Sequence, residues 1–390
     1  MSTTAAVGTA RTRVLLAPHA LFFPAAAWYA AVVLPWSVLA MTGTFPGPAS
    51  IATPLGHAHE MLTGFALAVV AGHQLPPMPR LRVLSLFGLW AAARFAFLAL
   101  PIGVAFAFDA AFAAALALHV APRLFRAAKK LRNQGLPAIL TALCAGAVAF
   151  DAGMVVSGVA APATAAVALV LSLAALMLFM GGRIIAPAAA GQLYRQGGSL
   201  AARVQPRIEG ALLVVMAAAL VFAVLPNGDL PMRLACALAG VLALVRLLRW
   251  RLPTCKGRPD LVCLGIGYAW LGLGLLAAGA TGPGIARTAA WHLITLGALG
   301  TLTQNVMAQT LLLKARRVPA AEWIPTAATA LIAAATVLRV AAAFTDANAT
   351  TLLIAAAACW SIAFVATARL LARCLALHAE RVGMARDAAH

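Results

Sequence analysis

Residues 57–61 read His-Ala-His-Glu-Met and open an apolar run, LTGFALAVVAG, that carries no further charge. Two imidazoles and a carboxylate this close together suit ligation of a metal or haem iron, proton sharing, or pairing with a buried cation. The other ionisable groups set in apolar surroundings are few: Arg94, Asp109, Asp151 and His292. Such groups are costly at membrane depth unless they are paired, hydrated or ligating something, so their default reading is a functional site.

The elements that must position them follow from composition. With 63% hydrophobic and 10% charged residues and a mean hydropathy of +0.94, the chain cannot present a water-soluble surface. The expected fold class is all-α, a polytopic integral membrane protein. Apolar runs able to cross about 30 Å of hydrocarbon as helices occupy approximately 20–41, 57–76, 83–100, 102–122, 136–157, 163–184, 208–226, 232–250, 260–280, 288–313, 323–344 and 350–373. Twelve spans are therefore expected, forming a single membrane domain over 1–390.

The basic residues test that segmentation. Of the 29, all but Arg94, Arg233, Arg287 and Arg339 fall in the two tails and in alternate loops, from Arg80 and Arg82 to Arg246, Arg249 and Lys314. Counted as cytoplasmic, these place both termini inside. The net charge of +19 then reflects orientation and anionic headgroups. No nucleic acid is called for, because the basic residues are not gathered on one folded surface with aromatics. The basic start ahead of the first apolar run resembles a signal peptide, but the run continues past Trp28 to Met41, which favours a retained span. The longest loop expected is about 185–207. Cysteines 144, 236, 255, 263, 359 and 374 stand singly and read as packing residues, with no disulfide assigned.

Alternating topology assigns depths. His57, His59 and Glu60 lie at the outer end of the second span and His292 at the outer end of the tenth. At about 100° per residue, His57, Glu60 and Gly64 share a face while His59 is turned roughly 200° from His57. Only one of the two histidines is therefore expected to meet His292. A bis-histidine haem requires imidazoles from separate helices, and the second and tenth spans supply them. Gly56, Gly64, Ala66, Gly72, Gly297 and Gly300 leave room for a macrocycle or a neighbouring helix. Arg94, Asp109 and Asp151 share this outer layer; they either neutralise one another or leave Arg94 to clamp a propionate. Glu60 has three roles open to it: pairing with Arg94, orienting an imidazole, or carrying protons.

On the inner side His19, His73 and His119 share a depth and suit a second metal site for copper or zinc. Thr295, Thr301, Thr303, Gln304, Asn305 and Gln309 mark the tenth span as one that lines the interior. The eleventh, rich in Ala, Thr and Leu, reads as scaffold.

These residues carry a resemblance. His57-Ala-His-Glu-Met-Leu-Thr-Gly-Phe-Ala, Trp90 with Arg94, Gly181-Gly-Arg-Ile-Ile, Gly267-Tyr-Ala-Trp-Leu and Trp291-His-Leu-Ile-Thr-Leu-Gly-Ala-Leu-Gly-Thr occur in the order of the NnrS family. The resemblance implies a twelve-span membrane protein linked to denitrification and nitric oxide tolerance, with haem and copper. The chain departs from the family pattern at Pro76-Pro-Met-Pro, at Gly265 where a histidine is usual, at Ala186-Pro-Ala-Ala-Ala, at Ala308-Gln-Thr and at Leu312-Leu-Lys-Ala-Arg. These losses weaken the case for copper and leave the haem candidate intact.

Axial histidines on the second and tenth of twelve spans also resemble the layout of haem-copper oxidase catalytic subunits. The sixth and seventh spans lack the further histidines that oxygen reduction needs. The expected protein is a multi-pass bacterial inner-membrane protein of the nitric oxide and nitrosative-stress response. It is expected to bind haem b through His292 and His57 or His59, with Arg94 and Glu60 in support. Its expected partners are the lipid bilayer, nitric oxide or a related small ligand, and a redox partner. Whether it is an enzyme stays open. Two alternatives stand beside this reading: a secondary transporter with Glu60, Arg94, Asp109 and Asp151 as a coupling site, and a family member without cofactor. The transporter reading expects a pair of broken helices in corresponding halves, and none is visible in the sequence.

Overall fold

The computed structural model describes residues 15–156 and 161–387. The signal-like head with Arg11 and Arg13, and the terminal His390, lie outside the described residues. Twelve helical rods follow one another. The first six are His19–Met41; a composite of Pro54–His59, Glu60–Ala66 and Leu67–Gln74; Arg80–Ala99; Ile102–Ala127; Leu131–Val155; and Pro162–Arg195. The second six are Pro206–Val224; Asp229–Arg249; Pro259–Ala280; a composite of Ile285–His292, Leu293–Ala298 and Leu299–Lys314; Ile324–Ala341; and Ala349–Asp387. The protein is all-α and polytopic: ten of these helices are long and apolar enough to cross a membrane. The two composites, the second and tenth, carry the candidate haem histidines His57, His59 and His292. A two-residue antiparallel bridge, Leu15–Leu16 with Met78–Pro79, ties the start of the described chain to the turn after the second rod.

Local sequence explains where the rods begin. Thr53 caps the second, its Oγ1 accepting from the Gly56 amide at 3.1 Å, and Pro54 follows in the first turn, where a missing N–H costs nothing. Prolines also open the sixth, seventh and ninth rods.

Two expectations about loops change. The sixth rod runs on to Arg195, with Pro187 inside it, so most of the expected 185–207 loop is helix. The twelfth runs to Asp387, so His378 sits on helix, its Nδ1 donating to the Lys314 carbonyl at 3.1 Å. Rods joined by short connections pack as antiparallel neighbours from the third to the ninth. The ninth meets the eleventh, the eleventh the twelfth, and the twelfth returns to the first. The second and tenth run inside this ring and face each other across two cavities. Their residues from His59 to Gly72 are buried throughout in the second rod, which explains why that run reads as unbrokenly apolar.

All six cysteines are free thiols, five of them buried, as packing residues are. Burial pushes the Cys255 thiol up, which keeps it protonated and unreactive.

Candidate functional site

Both composite rods are built alike. Each ends a short α-helical segment on a histidine or its neighbour and passes into a π-helical stretch, Glu60–Ala66 in the second and Leu293–Ala298 in the tenth. Each stretch holds a threonine whose hydroxyl donates to the carbonyl four residues back, Thr63 to His59 at 2.8 Å and Thr295 to Trp291 at 3.1 Å. That bond competes for an acceptor the α-helical ladder would use, and a glycine follows closely in both, Gly64 and Gly297. π-segments widen the turn and re-aim side chains, and they recur at functional sites. In the second rod the Trp90 indole donates to the Gly64 carbonyl at 2.9 Å.

The two neighbouring histidines part company here. The Ser37 hydroxyl lies 2.7 Å from His57 Nδ1 and donates its own proton to the Leu34 carbonyl at 2.8 Å, so His57 Nδ1–H donates to Ser37. His292 Nδ1 likewise donates to the Thr288 carbonyl at 2.7 Å. A neutral imidazole that donates from Nδ1 keeps its lone pair on Nε2. Both rings line one cavity of about 40 Å³, walled by Leu34, Met61, Phe65, Leu296 and Trp360. Arg339 of the eleventh rod lies close to both. His57 is thus the histidine that shares a cavity with His292.

His59 turns the other way, into a fully buried charge cluster. Its Nδ1 is 2.8 Å from Glu60 Oε1, and its Nε2 is 2.8 Å from Asp151 Oδ1 and 3.5 Å from Asp109 Oδ2. Arg94 joins Glu60 at 2.5 Å and also pairs with Asp109. The Phe97 ring stacks on His59 at 4.0 Å and 15°. The shared face expected for His57 and Glu60 is therefore not realised: Glu60 sides with His59, reaching Arg94 from the first residue of the π-segment. Glu60 takes two of its three open roles at once, pairing with Arg94 and orienting an imidazole. Both terminal nitrogens of Arg94 are engaged by carboxylates, so the guanidinium serves neutralisation and leaves only Nε without a partner among the described residues.

The glycines expected to admit a macrocycle lie against protein. A Cβ on Gly64 would come within 3.0 Å of Arg94 and Tyr29, one on Gly72 within 2.6 Å of Phe23, one on Gly297 within 2.9 Å of Trp270, and one on Gly300 within 2.5 Å of Trp360. Ala66 lines the inner cavity of about 90 Å³, together with His73, Gln74, Met177, Met180 and Thr303.

The inner histidines do not gather as a trio. His19 lies near His73, His378 and Lys314. His119 is exposed on the fourth rod with its Nδ1 donating to the Ala115 carbonyl at 2.8 Å. Along the tenth rod Asn305 donates to Thr301 O and Thr329 Oγ1, both at 2.9 Å, and Gln304 is fully buried without a partner among the described residues.

Sequence reasoning missed a second buried constellation. Arg246, counted with the cytoplasmic loops, is 3% exposed inside the eighth rod. It donates to Leu178 O at 2.9 Å, pairs with Glu209 at 2.7 Å and lies 3.4 Å from the Tyr268 hydroxyl. An acidic residue as rare as Glu209, opening an apolar run, was the available signal. Ser37 gave none, since serines in membrane helices commonly bond their own backbone.

The NnrS protein family matches residues 13–377, nearly the whole chain. The chain belongs to the NnrS family. No curated protein and no solved structure matches it. NnrS membership supports a membrane protein linked to the nitric oxide response. Several family landmarks that are separate in sequence are mutual contacts in this NnrS chain. Gly181 lies against the Tyr268 ring, and Gly182 against the Arg246 guanidinium, each so close that a Cβ would collide. The opening landmark supplies both His57 and the His59–Glu60 pair, with Trp90 and Arg94 closing on it from the third rod.

Proposed function

We propose that this NnrS protein binds haem b in the bacterial inner membrane near its periplasmic face, where His57 and His292 would hold the iron, and acts in the nitric oxide and nitrosative-stress response. One observation carries the reading: two imidazoles on separate helices, each fixed through Nδ1 and each with a free Nε2, border the same cavity. A second partner holding Nδ1 is the usual way a protein orients a ligating histidine and raises its basicity.

The donor set fits haem iron. The enclosed space of about 40 Å³ matches a water or a diatomic molecule. Seating a macrocycle therefore requires buried side chains that wall the cavity, Met61, Leu62 and Leu296, to turn aside. When bound, haem iron would supply one-electron exchange. The chain's own part is to hold the two imidazoles and keep the pocket largely apolar. On the topology read from the basic residues, with both termini inside, this pocket belongs to the outer side, where a small ligand and a redox partner would meet it. Copper is not part of the proposal, since His119 stands apart from His19 and His73.

The test is a pyridine haemochrome assay with reduced-minus-oxidised spectra on purified protein made with ample haem supply. One haem per chain is expected, with the low-spin signature lost in His292→Ala and in His57→Ala and kept in His119→Ala. Protein without haem refutes the reading; haem with an unaltered spectrum in His292→Ala refutes the ligand.

A second reading is favoured by the buried assembly of Glu60, Arg94, Asp109, Asp151 and His59: a proton-coupling site of a transporter. The interrupted second and tenth rods occupy unlike positions in the two halves, which is not the paired arrangement of inverted repeats. Proton uptake by proteoliposomes that vanishes in Asp151→Asn would favour it.

A further inference from the structure

His59, Asp109 and Asp151 come from the second, fourth and fifth rods and offer ligand atoms that all lie within 4.8 Å of one another. They are 2%, 3% and 3% exposed. Glu60 Oε1 accepts from Arg94 at 2.5 Å, so the 2.8 Å bond from the same oxygen to His59 Nδ1 places a proton on that nitrogen. In the neutral ring the lone pair is then on Nε2, and it faces Asp151 Oδ1 at 2.8 Å and Asp109 Oδ2 at 3.5 Å. A lone pair opposed to two carboxylate oxygens is repulsive unless a proton or a metal ion lies between them.

Two further observations call for positive charge there. Asp109 Oδ2, aimed at His59, and Asp151 Oδ2 have no hydrogen-bond partner among the described residues, although both side chains are buried. Charge is also out of balance: three buried carboxyl groups, Glu60, Asp109 and Asp151, face Arg94 alone when His59 is neutral, so two of them need protons or a further cation. One divalent ion balances both.

We propose that His59, Asp109 and Asp151 bind a single divalent first-row metal ion, separate from the haem site. Donors that each sit about 2.0–2.2 Å from one ion lie roughly 3–3.5 Å apart; His59 Nε2 finds Asp109 at 3.5 Å and Asp151 somewhat closer, at 2.8 Å. One imidazole and two carboxylates make a donor set of borderline hardness, suited to Zn²⁺, Mn²⁺ or Fe²⁺ and unsuited to Cu(I), which prefers sulfur. Glu60 holds the ligating imidazole through Nδ1, as second carboxylates do around metal-bound histidines. Arg94 balances the carboxylate that the ion does not reach, and Phe97 and Phe150 cover the His59 ring against water.

The experiment uses the full chain, purified in detergent without a histidine tag, stripped with chelator and then offered Zn²⁺ or Mn²⁺. Bound metal is measured by mass spectrometry, and haem is counted in the same samples, so either site can fail without the other. One Zn²⁺ per chain is expected, with affinity about 100-fold lower or worse in Asp109→Asn and Asp151→Asn, and about 10- to 100-fold lower in Glu60→Gln. Asp229→Asn, at the outer end of the eighth rod, leaves the stoichiometry unchanged. Wild-type protein alone gives a second measure should the variants fold poorly: bound Mn²⁺ must show an immobilised electron paramagnetic spectrum that Zn²⁺ displaces. A wild type that retains no ion, or retains it equally after both aspartate substitutions, overturns the proposal. So does an infrared signature of protonated Asp109 or Asp151 that Zn²⁺ leaves unchanged, which would mean that protons alone balance the charge.

Discussion

Replacing Arg94 by methionine tests whether the outer cluster is held by charge balance. The guanidinium is 4% exposed, meets Glu60 at 2.5 Å and also pairs with Asp109. At an effective dielectric of about 20, each such contact represents roughly 4–5 kcal/mol of attraction. Most of that is offset by the cost of taking the charges out of water, so the intact cluster contributes little net stability. Removing only the cation is different, because the carboxylates stay buried without it. The expected loss is about 3–5 kcal/mol, roughly a hundredfold to a few thousandfold in the ratio of folded to unfolded protein. The assay is unfolding in mixed micelles with increasing dodecyl sulfate, followed by tryptophan fluorescence. The companion Arg94→Met, Glu60→Gln, Asp109→Asn removes the partners together with the cation and is expected to recover at least half of the loss. A single variant within about 1 kcal/mol of wild type, where exposed ion pairs fall, would refute the reasoning. So would a triple variant less stable than the single one.

Nitrogen-15 histidine spectra should show His57 and His292 as neutral rings protonated at Nδ1, and Ser37→Ala should release the His57 tautomer while costing about 0.5–1.5 kcal/mol; an Nε2-protonated His57 in wild type contradicts the site geometry. His59→Ala should cost more stability than His57→Ala in the dodecyl sulfate titration, by about 1–3 kcal/mol, because it leaves buried carboxylate atoms without a partner; equal losses count against the separate roles. Gly240→Ala should cost about 1–3 kcal/mol, since a Cβ there meets the Leu276 amide at 2.6 Å and the Gly272 carbonyl at 2.7 Å and drives the eighth and ninth rods apart. Gly210→Ala, with open space around it, should be tolerated. Cysteines introduced at Gly198 and Gly282 should be labelled from the cytoplasmic and outer sides respectively, and labelling of both from one side would break the twelve-span topology.

Much of this protein is legible in one dimension. Apolar length marks all twelve rods to within a few residues at most ends, because a helix alone can satisfy its backbone in hydrocarbon. Alternating depth then brings Arg94, Asp109, Asp151 and the 57–60 motif into one layer, and the structure joins them through direct bonds. The loops were harder: Arg246 read as an orientation charge and is a buried partner of Glu209, because composition shows where a run ends and not which neighbouring helix takes up its last turn.

Residue types and topology thus determined the class of the protein, its candidate layer and the histidines in it. Tertiary structure alone decided which imidazole goes where. Ideal helix geometry turns His57 and His59 apart but does not say which faces the tenth rod, and it misplaces Glu60, since the π-segment that starts there changes the angle per residue. His57 was assigned to the His292 cavity by Ser37, a residue on another helix, and His59 to the carboxylates by Asp109 and Asp151, two more helices away in sequence. Spacing along a chain sets angles within one helix; contacts between helices depend on how the bundle packs, which no single segment encodes.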